Sequence, residues 1–243
     1  NSKVFMDLLF AEMVYVEGGT FEMGSNQGDA DAQKDEMVNG KKHRVNVSSF
    51  YMGKYEVTQA QWRSVMGNDD PIYNKNCDHC PVEGVGWEDV QVFLRKLNAR
   101  TGGKYRLPTE AEWEYCCRAG TETIFSTGNL ITPSAANFLH DESGDRIGLG
   151  QRTRTEYYSA NPFGLCDMHG NVCEWVADPW HPNYIGSPPD GRVWNQGCIE
   201  GSRVIRGGAW DYMPRLLRSA WRDWLDPLTK RDNLGFRVVC DDT

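Results

Sequence analysis

The chain lacks any apolar run long enough to cross a membrane, although 40% of its 243 residues are hydrophobic. Val4 to Phe10 is too short for the apolar core of a signal sequence. A membrane therefore enters only through a lipid anchor or signal removed ahead of Asn1. Basic residues are in deficit: 26 Lys and Arg stand against 34 Asp and Glu, for a net charge of -8. The one basic cluster, Lys41-Lys42-His43-Arg44, reads as a solvated turn. Nucleic acid and anionic membrane are accordingly disfavoured as partners. No G-x-S-x-G, phosphate-binding loop or dinucleotide fingerprint occurs. His140, His169 and His181 lack metal-ligand spacing and a neighbouring nucleophile, so they read as core or surface residues. There is no internal repeat and no low-complexity tract. One further absence is local: no cysteine lies between Trp210 and Val239 in a chain that has 8.

What is present begins with 25 glycines and 11 prolines, a composition for turns. Helix signals are few. Thr58-Gln59-Ala60-Gln61 has the spacing of a reciprocal N-terminal cap, ahead of Trp62, Val65 and Met66. Trp87 to Arg100 spaces Val90, Phe93, Leu94 and Leu97 along one helical face, with Gly102 as a stop. Thr109-Glu110-Ala111-Glu112 repeats the cap before Trp113, Cys116 and Cys117, and Gly120 closes that helix. Residues 26–42, 121–160 and 179–202 read as loops, the first of them exposed. The expectation is one domain over residues 1–243, with short strands, surrounding loops and a few helices packed beside them.

The cysteines do not declare their pairing. Cys77-Asp78-His79-Cys80 is a C-x-x-C, but zinc would need a second ligand pair, and Cys116-Cys117 are adjacent. A redox site would want the motif at a helix N-terminus in a βαβ setting. A structural disulfide or plain thiols fit better, and the cysteine count leans toward an oxidising compartment. Glu110, Glu112 and Glu114 read as a capping, solvated face without a paired acid and base. Asp167-Met168-His169-Gly170-Asn171-Val172-Cys173-Glu174 offers hard oxygens around a glycine turn, which suits calcium. The plainer reading has Asp167 and Glu174 bonding turn amides.

In the last third, Arg203-Val204-Ile205-Arg206-Gly207-Gly208-Ala209-Trp210 and Leu234-Gly235-Phe236-Arg237-Val238-Val239 read as strands punctuated by glycine. The run between them suits neither a buried strand nor an amphipathic helix. Trp210 reads as core. Trp221 and Trp224 stand among Arg222, Asp223 and Asp226, which a buried position would strand. Both are therefore expected at the surface, as anchors of a binding face.

These blocks resemble the formylglycine-generating enzyme, or sulfatase-modifying factor, family. The resemblance extends to Met13–Gly24, Phe50–Thr58, Pro81–Trp87, Arg106–Tyr115 and Asn161–Trp175, in the family's order. It implies a C-type lectin fold of the α+β class, loop-rich with few short helices. It also implies calcium ligands at Asp167, Glu174 and the carbonyls of Gly170 and Val172. A second family site would match Asn137, the Phe138 carbonyl and Asp145. Such calcium would be structural, and no other cofactor is required. Family enzymes oxidise a substrate cysteine with two copper-binding cysteines, whose positions match Tyr212 and Leu217 here. Without a thiolate there is no soft copper ligand. An oxidase of this type, acting on a cysteine of a sulfatase-like substrate, is the alternative reading.

One subset is more similar: the variable proteins of diversity-generating retroelements, the treponemal type among them. Their fixed frame matches Arg206-Gly207-Gly208-Ala209-Trp210, Arg218-Ser219-Ala220, Arg222, Pro227 and Leu234-Gly235-Phe236-Arg237. The variable region spans about 203–239. The diversified positions between are Asp211, Tyr212, Met213, Arg215, Leu216, Trp221, Asp223, Trp224, Leu225, Leu228, Thr229 and Asp232. The resemblance implies a non-enzymatic display protein at the cell surface, with a protein or glycan as its ligand.

Overall fold

The computed structural model describes residues 12–67, 73 and 77–242. The Val4–Phe10 stretch lies outside them. Ten strands are described: β1 (Met13–Val16), β2 (Gly19–Met23), β3 (His43–Val47), β4 (Phe50–Gly53), β5 (Tyr105–Arg106), β6 (Cys173–Pro179), β7 (Arg203–Arg206), β8 (Arg222–Leu225), β9 (Leu234–Phe236) and β10 (Val239–Asp241). The α-helices among the described residues are α1 (Gln59–Met66), α2 (Trp87–Thr101) and α3 (Glu110–Arg118).

All three helices begin where side-chain chemistry starts them. The Thr58 hydroxyl accepts from the Gln61 amide, and the Gln61 side chain accepts from the Thr58 amide. Thr109 and Glu112 do the same for α3. Asp89 reaches back to the Gly86 amide to open α2, and Gly102 ends that helix at φ 68°. The stop after α3 differs from expectation. Ala119, with φ 47°, already makes the left-handed turn, and Gly120 follows it.

The strands form two four-stranded sheets, ordered β1-β4-β10-β5 and β8-β7-β6-β9, and an antiparallel β2–β3 pair. Only β6 and β9 pair in parallel among the described strands. One core cluster lies under α1 and α2, where Trp62 stacks on Phe93 at 5.2 Å and both meet Phe236 edge-on. A second surrounds Trp113 of α3 and takes in Val176 and Val204. The last sheet thus stands between two cores, with β8 at its rim. That strand lies inside the run that reads as irregular in sequence, and it is too short for alternation to reveal it.

The loops are not idle. Residues 26–42 are mostly exposed, but Glu36 and Met37 are buried within them. Of the cysteines, Cys77 and Cys80 form a disulfide, while Cys116, Cys117, Cys166 and Cys173 are buried free thiols. No helix of the described residues is long and apolar enough to cross a membrane.

Candidate ligand surface

Between β7 and β9 the chain makes turns and the short strand β8, and buried arginine side chains tie it to backbone carbonyls within the segment and around it. Arg206 donates to the carbonyls of Ser219 and Ala220. Arg218 donates to the Arg215 carbonyl, and Arg222 to those of Asp35 and His181. Arg237 reaches the carbonyls of Gly53, Lys54 and Cys166. All four arginines are buried, and each is neutralised from outside the segment. Arg206 pairs with Glu114, Arg218 with both oxygens of Glu36, Arg222 with both of Glu110, and Arg237 with both of Glu174. The Arg222 guanidinium also lies 4.2 Å from the Trp180 ring and 4.3 Å from that of Tyr184. Burial alone would raise the Glu114 pKa, but Arg118 and Arg206 overcome it and hold the carboxyl below its usual value.

Three expectations are corrected here. Glu110, Glu112 and Glu114 are not a solvated face; all three are buried, and Glu112 pairs with Arg106. Trp221 is not at the surface either. It is 6% exposed, belongs to the core under α1 and α2, and meets Tyr212 edge-on at 5.9 Å. The argument for exposing it fails because Arg222 has a buried partner. Trp210, expected in the core, is half-buried at the boundary.

The remaining positions face outward to different degrees. Arg215, Asp223, Trp224, Leu228 and Asp232 are exposed, with Trp224 at 45% and Leu228 at 69%. Asp211, Tyr212, Met213, Leu216, Leu225 and Thr229 are half-buried. Asp211 accepts from the Asn233 side chain, while Asp223 and Asp226 accept from the amides of Trp224 and Leu228. The 139–149 loop borders this face. Leu139 donates its amide to the Tyr212 carbonyl, and Glu142 holds Arg215 through amide and guanidinium. Ile147 and Leu149 are exposed on that loop. Its part in the face has no local signal in the sequence beyond the loop's length.

Tyr212 and Leu217, the positions that the resemblance singles out, are built into the structure. Leu217 is fully buried with Phe125, Ile131, Ala136 and Phe138. Its carbonyl accepts from His169 Nδ1 at 2.7 Å, while His169 Nε2 accepts from the Ser126 amide. Burial lowers the His169 pKa to about 4, so the ring stays neutral and acts as a clamp. Gly208, at φ 72°, completes the turn: a Cβ there would come 2.6 Å from the Leu216 carbonyl. The Tyr212 hydroxyl is held above its usual pKa by the Cys173 thiol and by burial.

The two carboxylates expected to bind calcium sit in unlike surroundings. Both oxygens of Glu174 are committed to Arg237, and one also accepts from Trp113. Asp167 is buried with both carboxylate oxygens lacking a partner. Glu56 Oε2 and Asn137 Oδ1 are likewise unpartnered. Burial raises Asp167 to about 7, and burial with the nearby Asp167 raises Glu56. Such orphaned oxygens fit a hard cation, yet no three His, Cys, Asp or Glu of the described residues are arranged for a metal. Asp145 is exposed on a turn closed by Asp141, whereas Asn137 is fully buried.

Comparison with known proteins decides the family, because the sulfatase-modifying factor enzyme 1-like domain matches residues 6–242. The chain belongs to the sulfatase-modifying factor family. A curated relative, the serine/threonine-protein kinase pkn1 of Chlamydia caviae, is 32% identical over 95% of this chain, which spans only 38% of that protein. The formylglycine-generating enzyme of Bos taurus is 25% identical over 95% of the chain and 75% of its own length. Among solved structures, PvdO of Pseudomonas aeruginosa superposes with a TM-score of 0.82 at 30% identity, covering 95% of this chain and 94% of that one. Treponema denticola variable protein 1 gives 0.80 at 23% identity, covering 95% of both chains. The fold is thus the C-type lectin type of this family, shared with a variable protein.

Proposed function

We propose that this chain is a non-enzymatic display protein whose scaffold presents the outer side of residues 211–232 to a protein or glycan ligand. One observation carries the reading. The frame arginines are buried and paired, while Arg215, Asp223, Trp224, Leu228 and Asp232 have their side chains in solvent. Such positions accept new side chains without disturbing the fold, which diversification requires. Trp224 supplies apolar area at small rotamer cost, and its charged neighbours set polarity. Trp221 would serve from beneath, holding Tyr212 and the start of β8. A cell-surface location belongs to the same reading.

The family's enzymes motivate a second reading, an oxidase acting on a cysteine. Against it stand Tyr212 and the apolar burial of Leu217 at the matching positions. The residues there do not fit copper. Calcium is a separate proposal: Asp167 and Glu56 would hold it with backbone carbonyls, and it would neutralise buried carboxylates. Sequencing the coding region and its flanks across many isolates tests the main reading. The expected result is substitution piled onto the outward positions, with a near-copy repeat and a reverse transcriptase nearby. A region that never changes, without such neighbours, would refute it.

A further inference from the structure

We propose that Cys77–Cys80 is an exchangeable disulfide, a site where an external thiol is captured covalently on Cys77. It is the only disulfide among the described residues. Its two sulfurs are not equivalent in setting. Cys80 is buried, whereas Cys77 is half-exposed and followed by exposed Asp78 and His79. An incoming thiolate therefore meets Cys77 first, and Cys80 is the leaving group that stays inside.

The turn does not depend on the bond it carries. The Cys80 carbonyl accepts from the Gln59 amide, and the Asp78 carbonyl from the Ala60 amide, both at the start of α1. The His79 carbonyl accepts from the amide and hydroxyl of Thr155, and the Cys80 amide donates to the Cys77 carbonyl. These bonds hold the two cysteines side by side after the disulfide opens. A ring closed over so few residues also adds little to fold stability through loop entropy. The bond is thus poorly placed as a staple and well placed to open and close. Cys116, Cys117 and Cys173, by contrast, are fully buried and kept protonated by that burial.

The exchange balances. A thiolate RS⁻ attacks Cys77 Sγ, the S–S bond breaks, and its electron pair leaves on Cys80 Sγ, which takes up a proton. The mixed disulfide R–S–S–Cys77 then has two fates. Cys80, again as thiolate, displaces RS⁻ and restores the bond. Alternatively a second thiol releases R–S–S–R, leaving two protein thiols; that path oxidises two external thiols and reduces the protein by two electrons.

Glutathione is the probe. Native protein is first treated with a light alkylating reagent to block thiols already free, then equilibrated with reduced glutathione, then labelled with a heavy reagent. The expected result is heavy label on Cys77 and Cys80 alone, with an unchanged circular dichroism spectrum. In separate samples that are not pre-alkylated, oxidised glutathione should leave one glutathione on Cys77 of the Cys80→Ser variant, the Cys77 thiolate displacing reduced glutathione, and none on Cys80 of the Cys77→Ser variant, each site read by peptide mapping. Heavy label appearing only after denaturant unfolds the chain would overturn the proposal, as would equal glutathione capture by the two variants. The wild-type experiment decides alone if a variant fails to fold.

Discussion

Residues 203–239 have two sides made by different physics. On the inward side, Arg206, Arg218, Arg222 and Arg237 reach carboxylates that come from helix α3, the 26–42 loop and β6. On the outward side, Arg215 pairs with Glu142 where both side chains are over two-fifths exposed, and Trp224 and Leu228 stand in solvent. The same residue type is therefore worth different amounts a few positions apart. A buried charge without its partner is expensive, whereas a surface pair is screened by water. The proposed display role requires the segment to keep its shape, chiefly through these inward bonds, while its outer side chains change.

That contrast breaks most readily from the inside. Arg222→Ala strips buried Glu110 of its two-bond partner, leaving the Tyr184 hydroxyl and Arg206 at 3.5 Å, and should cost about 3–5 kcal/mol in denaturant unfolding. Trp221→Ala should come next, at roughly 3–4 kcal/mol, by opening a cavity between Tyr212 and the core. A near-neutral result at Trp221 would move it back to the ligand face.

Acid gives a third, smaller test. Burial, with Glu110 nearby, raises Asp178 to about 7 from a usual 3.8, despite two amide donors. The unfolded chain has lost that proton above pH 4, and the folded chain keeps it until about 7. Folding therefore takes up a proton in this window, and Asp178 contributes stability that grows as pH falls from above 7 toward 4. Asp178→Asn should flatten that part of the melting-temperature profile. An unchanged slope would show that Asp178 is ionised throughout.

The smallest effects belong outside. Trp224→Ala and Leu228→Ala should each change stability by less than about 0.5 kcal/mol. Arg215→Ala should cost at most about 1 kcal/mol, and less at high salt. A loss of several kcal/mol at Trp224 would erase the distinction between the sides.

The sequence disclosed what depends on neighbours along the chain. Thr58 with Gln61 and Thr109 with Glu112 are three residues apart, so their helix starts could be read directly. The family frame carried the fold, and the charged neighbours of Trp224 its outward placement. What stayed hidden involves partners far away in sequence. Glu110 lies 112 residues from Arg222, and Glu36 lies 182 from Arg218. No spacing rule connects them, so the carboxylates of α3 read as solvated and Trp221 as exposed. The pairing of Glu174 with Arg237, 63 residues away, had no local signal either.

The most direct measurement replaces the five exposed positions together. Arg215, Asp223, Trp224, Leu228 and Asp232 would be changed to serine in one variant and its thermal unfolding compared with the parent. The account predicts a cooperative transition within a few degrees of the parent, because none of the five supplies a buried bond that the frame needs. Loss of cooperative unfolding would contradict it, since the outer side would then be part of what holds the segment in place.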